Sequence, residues 1–322
     1  MKEISILDIE GFKYGHAQNE EALTGCSVII CEDGAVGGVE VRGGAPGTRE
    51  TDALQPENLV EVVHGIFLSG GSAYGLDVGS GMMRYLEEIN VGFDVQVSKV
   101  PIVAGAILFD LFPGNPKVRP DSDMGYKACN QAFSDSLFLS GSVGAGTGAT
   151  VGKCLGPDFL MRGGIGSYAI EIGELKIGAL VAVNAFGDVI DPSTNKVLAG
   201  VYDRKNRKFL NSEKQLLAQL DNKSTNRFTS NTTIGSIMTN ARLSKSQANK
   251  IATIAHDGFA RTIRPSHTLV DGDTLFTLTT NKIETDLNVL SMLASHVVEH
   301  AVMNAVINAS SILDIPSHTD CK

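Results

Sequence analysis

Three stretches carry residues whose types and spacing could do chemistry, and a fourth raises a question. In VDGDTLFTLTT, Asp271 and Asp273 are separated by one glycine just ahead of an apolar run. Two carboxylates at i and i+2 point the same way on extended backbone. There they could bind a metal, orient a base or nucleophile, or close an Asp-Gly turn. In GSVGAGTGATVGKCLG the glycines suggest a phosphate cradle. The letters fail that test: Thr147 stands where a P-loop needs glycine, and Cys154 where it needs the Ser or Thr that holds magnesium. Val151 likewise occupies the place of the third glycine in a dinucleotide fingerprint. What remains is a glycine-rich wall approached closely by something else, with Lys153 its only charge. HVVEH at 296–300 matches the H-x-x-E-H spelling of an inverted zinc protease, with His296 and His300 one turn apart on a helix face. Such a site needs a third ligand, and beyond Glu299 only Asp314 and Asp320 are carboxylates. Surface or interface histidines are the expected reading, and no metal is assigned. The fourth stretch, NTTIGSIMTN at 231–240, sets two threonines where a polar segment becomes an alternating apolar one.

These residues need elements to hold them. CSVIICEDG and AVGGVEVRGG read as two strands of a hairpin. ENLVEVVHGIFLSGGSAYGLDVGSGMMRYLEE reads as a helix, a strand into a glycine turn, and a second helix whose Leu76, Met82, Met83 and Leu86 follow one face. Further strands are expected at 137–143, 177–185, 232–239 and 273–280, and helices at 244–260 and 284–309. Strands arrive in groups with helices between the groups, which favours an α+β layered sandwich over a Rossmann alternation. The segment 202–231, rich in Lys, Arg, Asn, Ser and Gln, is expected to be a surface loop around a short helix.

The chain has 322 residues, 43% hydrophobic and 20% charged, with a formal charge of −9. The length suffices for a large core. An acidic balance without a Lys/Arg cluster argues against nucleic-acid and anionic-membrane partners. Five cysteines without a CxxC pair argue against a disulfide scaffold or zinc ribbon and fit a reducing cytoplasm. The start MKEISILDIEGFKYGH has no apolar h-region, and VPIVAGAILFDLF is too short to span a bilayer. A cytoplasmic location is expected.

Several segments together resemble one family. They are RGGAPGTRETDAL, LSGGSAYGLD, VPIVAGAILFDL, GAGTGATVGK, GGIGSYA, VNAFGDV, NTTIGSIMTNARLSKSQ and DGDTLFTLTT, in order over nearly the full length. The chain is similar to the self-processing aminopeptidases and amidases that include DmpA, the β-peptidyl aminopeptidases and the nylon-oligomer hydrolases. The resemblance implies a four-layer αββα sandwich, also found in ornithine acetyltransferases. It implies self-cleavage at Asn231–Thr232 into 1–231 and 232–322, which together form one compact domain, with Thr232 as nucleophile and no cofactor. It assigns the oxyanion-hole role to Asn184, the nucleophile-orienting pair to Asp271 and Asp273, and a supporting cation to Lys153. The threonine and the Asp-x-Asp pair point to the nylon-hydrolase branch, with small peptides or 6-aminohexanoate oligomers as substrates. A homo-oligomer, specifically a tetramer of processed pairs, is expected.

The chemistry that follows is an N-terminal nucleophile. A threonine hydroxyl within a chain lacks a base, whereas an N-terminal one carries an α-amine, titrating near ~7.7–8.0, on the adjacent carbon. The glycine turns, with Gly71, Ser72, Tyr74 and Gly146, are expected to shape the substrate cleft. Two other readings share the fold: a threonine-dependent acyltransferase that passes its acyl group to an amine, and a non-processed binding protein.

Overall fold

The computed structural model describes residues 1–134, 138–219 and 231–321. Ten strands pair into one hydrogen-bonded network: β1 (Lys2–Ile4), β2 (Lys13–Asn19), β3 (Thr24–Val41), β4 (Thr48–Arg49), β5 (Val63–Ser69), β6 (Val103–Ile107), β7 (Gly164–Ile172), β8 (Leu175–Asn184), β9 (Thr232–Ala241) and β10 (Thr274–Ile283). The helices are α1 (Val78–Glu88), α2 (Ser122–Ser134), α3 (Ser212–Gln219), α4 (Lys245–Thr262) and α5 (Leu287–Ile307).

The strand β3 makes one network into two layers. Its first half pairs with β2 and β5, and its second half pairs with β10. The register on β5 shifts between Ile30 and Ala35, where Gly34 sits at φ +79°. The letters EDG therefore form an irregularity within one long strand, not the turn of the expected hairpin. A bulge of this kind bends a strand and lets it serve two sheets.

Side-chain alternation then sorts the residues into three cores. On β8 and β9, Leu180, Ala182, Ile234 and Met238 face Ile29, Ile66 and Leu68 from the other sheet. The opposite parity, Ile177, Ala179, Val181, Val183 and Ile237, packs on α4 and α5. On the far side Val28, Ile30 and Phe67 pack on α1 and α2. Helices, sheet, sheet and helices thus make the expected αββα sandwich. Each large apolar side chain fully withdrawn from water contributes about 1.5–3 kcal/mol.

Two strands at the centre, β9 and β10, run parallel. A parallel pair needs a crossover, which α4 supplies. Its start is set by a capping box in which Ser244 accepts the Gln247 N–H at 3.3 Å and Gln247 accepts the Ser244 N–H at 2.8 Å.

Elsewhere the elements differ from expectation at identifiable places. The helix expected at 57–62 does not form: a single 3-10 turn, Asp52–Leu54, ends in a turn that the Asn58 N–H closes on the Gln55 carbonyl. Residues 138–143 make no strand, Gly141 forming only a bridge to Ile165, and 137 lies outside the described residues. The segment from 202 holds a two-stranded hairpin, Tyr202–Asp203 with Lys208–Phe209, followed by α3. Residues 220–230 lie outside the described residues.

Candidate active site

Thr232 opens β9 and Asn184 closes β8, and the two are register partners. Their parity is that of the inter-sheet residues, so both side chains enter the layer between the sheets at its end. Both are buried. The turn before β10 brings Asp271 and Asp273 to the same end, and Lys153 arrives from the glycine-rich segment. The five residues singled out in the sequence therefore meet at one place.

Their contacts define two halves. In the first, the Thr232 hydroxyl donates to the carbonyl oxygen of its own predecessor, Asn231. The Gly272 N–H lies between them, 3.2 Å from the Asn231 oxygen and 3.1 Å from Thr232 Oγ1. Asn231 is anchored upstream by its N–H to the Val270 carbonyl at 3.1 Å. A Cβ on Gly272 would lie 2.7 Å from the Ala45 oxygen and 2.8 Å from Thr232 Oγ1, so glycine is required there by close approach.

In the second half, Lys153 Nζ donates to Asn184 twice, at 3.0 Å to its carbonyl and 2.7 Å to Oδ1. The Thr150 N–H also reaches Oδ1 at 3.0 Å. Asn184 Nδ2 donates to the Phe109 carbonyl at 2.8 Å. On the Asn231 carbonyl the donors are thus Gly272 N–H and Thr232 Oγ1, while the amide of Asn184 is aimed at Phe109.

The carboxylates do different things. Asp273 Oδ1 accepts the Thr233 N–H at 2.8 Å. Asp271 accepts from the Thr268 N–H at 3.1 Å, from the Thr268 hydroxyl, and from the Phe186 N–H at 3.3 Å. Among these contacts neither carboxylate touches the Thr232 hydroxyl.

Burial tunes the titrating groups towards neutrality. It pushes Asp271 up to about 6, aided by the charge of Asp273 and opposed by Thr268 and Lys153. It pushes Lys153 down to about 7, against the pull of the Asp271 and Asp110 carboxylates. Groups balanced near the working pH suit proton transfer.

Three participants were not singled out in the sequence. Asp110 is buried and pushed up to about 6 by that burial. It accepts the Gly71 N–H at 2.6 Å and the Thr24 hydroxyl at 2.7 Å. Its signal was a lone carboxylate closing the apolar run VPIVAGAILF. His267, four residues before Asp271, bonds Asp273 Oδ2 through ring Nδ1 at 2.8 Å. The Gly272 N–H is a backbone group and has no letter of its own.

The residues expected to line the cleft divide. Gly71 and Ser72 form a left-handed turn at φ +83° and +55°, tied to Asp110 and to the Leu108 carbonyl. Tyr74 is 59% exposed, with the Arg119 guanidinium 3.8 Å above its ring. Gly146 faces the protein's own backbone, since a Cβ there would meet the Ile165 nitrogen at 2.2 Å. What closes on that part of the glycine-rich wall is β7. In HVVEH, Glu299 pairs with Arg261 at 2.6 Å and His300 stacks on Tyr168. No group of three or more His, Cys, Asp or Glu side chains suited to a metal occurs among the described residues.

Comparison with known proteins bears on the family and the fold. The sequence profile described as Peptidase family S58 matches residues 5–319. An uncharacterised aminopeptidase of Mycobacterium tuberculosis (strain ATCC 25618 / H37Rv) is 39% identical, covering 98% of this chain and 97% of that protein. A 6-aminohexanoate-oligomer endohydrolase of an Agromyces species is 32% identical, over 88% of this chain and 77% of its own. Among solved structures, the L-aminopeptidase D-Ala-esterase/amidase of Ochrobactrum anthropi superposes with a TM-score of 0.71 at 18% identity, covering 97% of this chain and 88% of that one.

Proposed function

Because the chain belongs to peptidase family S58, the self-cleaving N-terminal-nucleophile hydrolases of peptide and amide bonds, we propose that Thr232 is its nucleophile twice over. It first cuts its own chain after Asn231, then hydrolyses a substrate amide. The observation that carries this is the Thr232 hydroxyl resting on the Asn231 carbonyl beneath a Gly272 N–H shared by both oxygens.

In the first reaction, Thr232 Oγ attacks the Asn231 carbonyl carbon, and water carries its proton to the nitrogen that departs. The Gly272 N–H supports the oxyanion, and a donor so placed contributes about 3 kcal/mol. Collapse breaks the C–N bond, and the nitrogen takes up a proton and becomes the Thr232 amine. Water then hydrolyses the ester, giving an Asn231 carboxylate and a free Thr232. The pieces are 1–231 and 232–322.

In the second reaction the Thr232 amine takes the hydroxyl proton as Oγ attacks the substrate carbonyl, now lying where the Asn231 carbonyl had been. The leaving amine takes a proton and departs, and water releases the acyl group. Lys153 and Asn184 act as one unit, whose charge opposes Asp271. The substrate class supported by the relatives is a small peptide or short amide oligomer. The higher identity to proteins named aminopeptidases favours short peptides among these.

N-terminal sequencing of purified protein tests the reading. A second N-terminus beginning Thr-Thr-Ile-Gly is expected, and a single uncut chain under all conditions overturns it.

A further inference from the structure

Asp273 is held on three sides, and His267 supplies one of them twice. The His267 backbone N–H and its ring Nδ1 both reach Asp273 Oδ2, at 3.0 and 2.8 Å. This double contact depends on an uncommon backbone. His267 has φ +55°, and a non-glycine residue stays in that region only where its surroundings hold it. His256 of α4 lies edge-on to the His267 ring, with centroids 4.9 Å apart. His256 is itself tied through Nε2 to the Glu40 carbonyl at 3.1 Å. The Arg42 N–H holds the carbonyl of Asp273 at 2.9 Å. The remaining oxygen, Oδ1, holds the Thr233 N–H at 2.8 Å.

In the uncut chain Thr232 is restrained from both directions. Upstream, Asn231 is bonded to Val270 and Gly272. Downstream, Thr233 is bonded to Asp273. Cleavage frees Thr232 from the upstream set. The torsion about its Cα–C bond, which aims amine and hydroxyl at a substrate, is then fixed from the Thr233 side, together with the β8 ladder at Asn184 and the Gly272 N–H on Thr232 Oγ1.

Resting on the functional reading above, we propose that His267 is a positioning residue for hydrolysis by the cut enzyme, and far less for the cut itself. It fixes Asp273, and Asp273 holds the N–H of the Thr232–Thr233 peptide, the restraint that adds to the β8 ladder once Asn231 has gone. A group that merely fills space would affect both reactions alike, or neither.

Two variants separate these cases. His267→Gly removes the ring, keeps the N–H and suits the positive φ. His267→Asn returns a donor near the Nδ1 position and tolerates the same backbone. For each, one rate is the appearance of the Thr-Thr-Ile-Gly N-terminus in freshly translated chain. The other is kcat and KM, per cut molecule, on a p-nitroanilide of a small amino acid. H267G is expected to lower kcat by about 10- to 100-fold, the scale of an ångström of misplacement. Cutting and KM should stay within about threefold, and H267N should recover most of kcat. Should H267G not fold, His267→Gln takes its place, its amide lying towards Nε2, and the loss should appear with Gln and not with Asn. An unchanged kcat, an equal loss in both reactions, or a loss that Asn does not recover overturns the proposal. A wild type that neither cuts nor hydrolyses overturns the functional reading and this proposal together; an active wild type with an equally active H267G overturns the proposal alone.

Discussion

Asn184 and Thr232 stand opposite each other as the last residue of one strand and the first of the next in the sheet. A ladder pairing fixes the separation of such residues to within a fraction of an ångström. The nucleophile and the amide beside it are therefore placed by backbone hydrogen bonds, before any side chain contributes.

Thr232→Ala should give one uncut chain, seen by intact mass and on a denaturing gel, and hydrolysis at background. Thr232→Ser keeps the hydroxyl and loses the methyl that restricts χ1, so it should still cut, several-fold more slowly. Two bands from Thr232→Ala would remove Thr232 as the attacking residue.

Gly272→Ala tests the shared N–H. The new Cβ would press on Ala45 and on the Thr232 hydroxyl and shift the donor from the Asn231 carbonyl. Losing one donor of this kind costs about 10²- to 10³-fold in rate. A time course should show folded protein that stays largely uncut, and cutting at the wild-type rate would exclude the Gly272 N–H as the donor.

The pH dependence of hydrolysis should move in a defined direction when Lys153 is removed. The Lys153 cation holds the Asp271 value down. In Lys153→Met that support is absent, Asp271 keeps its proton to higher pH, and the limb of kcat/KM that reports Asp271, near 6 and below the one set by the Thr232 amine, shifts upward. A limb that stays in place or moves down would separate Lys153 from Asp271.

Stability should respond to Asp110 with the opposite sign to an ordinary paired carboxylate. Its folded value of about 6 lies above the ~3.9 of an unfolded chain. Between those values the folded chain binds more protons, so this group's contribution is full below about 4 and is lost as pH rises through about 6. Thermal unfolding of uncut Thr232→Ala at pH 4.5 and 7, with and without Asp110→Asn, isolates the effect. The difference between the two pH values should shift in favour of pH 7 in the double variant. No shift would show that Asp110 is not held protonated by burial.

What was legible in the sequence was what side-chain letters carry locally. Thr232, Asp271, Asp273, Asn184 and Lys153 each sit in a short distinctive run, and the fold brings these runs together. Strands β8, β9 and β10 and helices α4 and α5 form within about three residues of the ranges expected for them. Long-range and backbone features were not legible. EDG at 32–34 has the composition of a turn, and only pairing with two different sheets keeps β3 extended through it. Asp110 and His267 gain meaning from partners 39 or 86 residues away and six residues away respectively. The glycine-rich run does mark a close approach, but at Gly146 the visitor is the protein's own β7.

The parallel pair at the centre of the sheet bears on what a cut at 231–232 can separate. Downstream of it lie β9, α4, β10 and α5, and these two strands are inserted between β8 on one side and β3 on the other. The shorter piece thus holds the middle of the network and one entire helix layer, while the longer piece holds both flanks. Neither has an edge along which to part from the other. A chain opened there would be nicked without being divided: its halves would stay interleaved through native purification and melt together. Once unravelled, they would have to find each other as separate molecules, so reassembly would depend on concentration as the original folding did not.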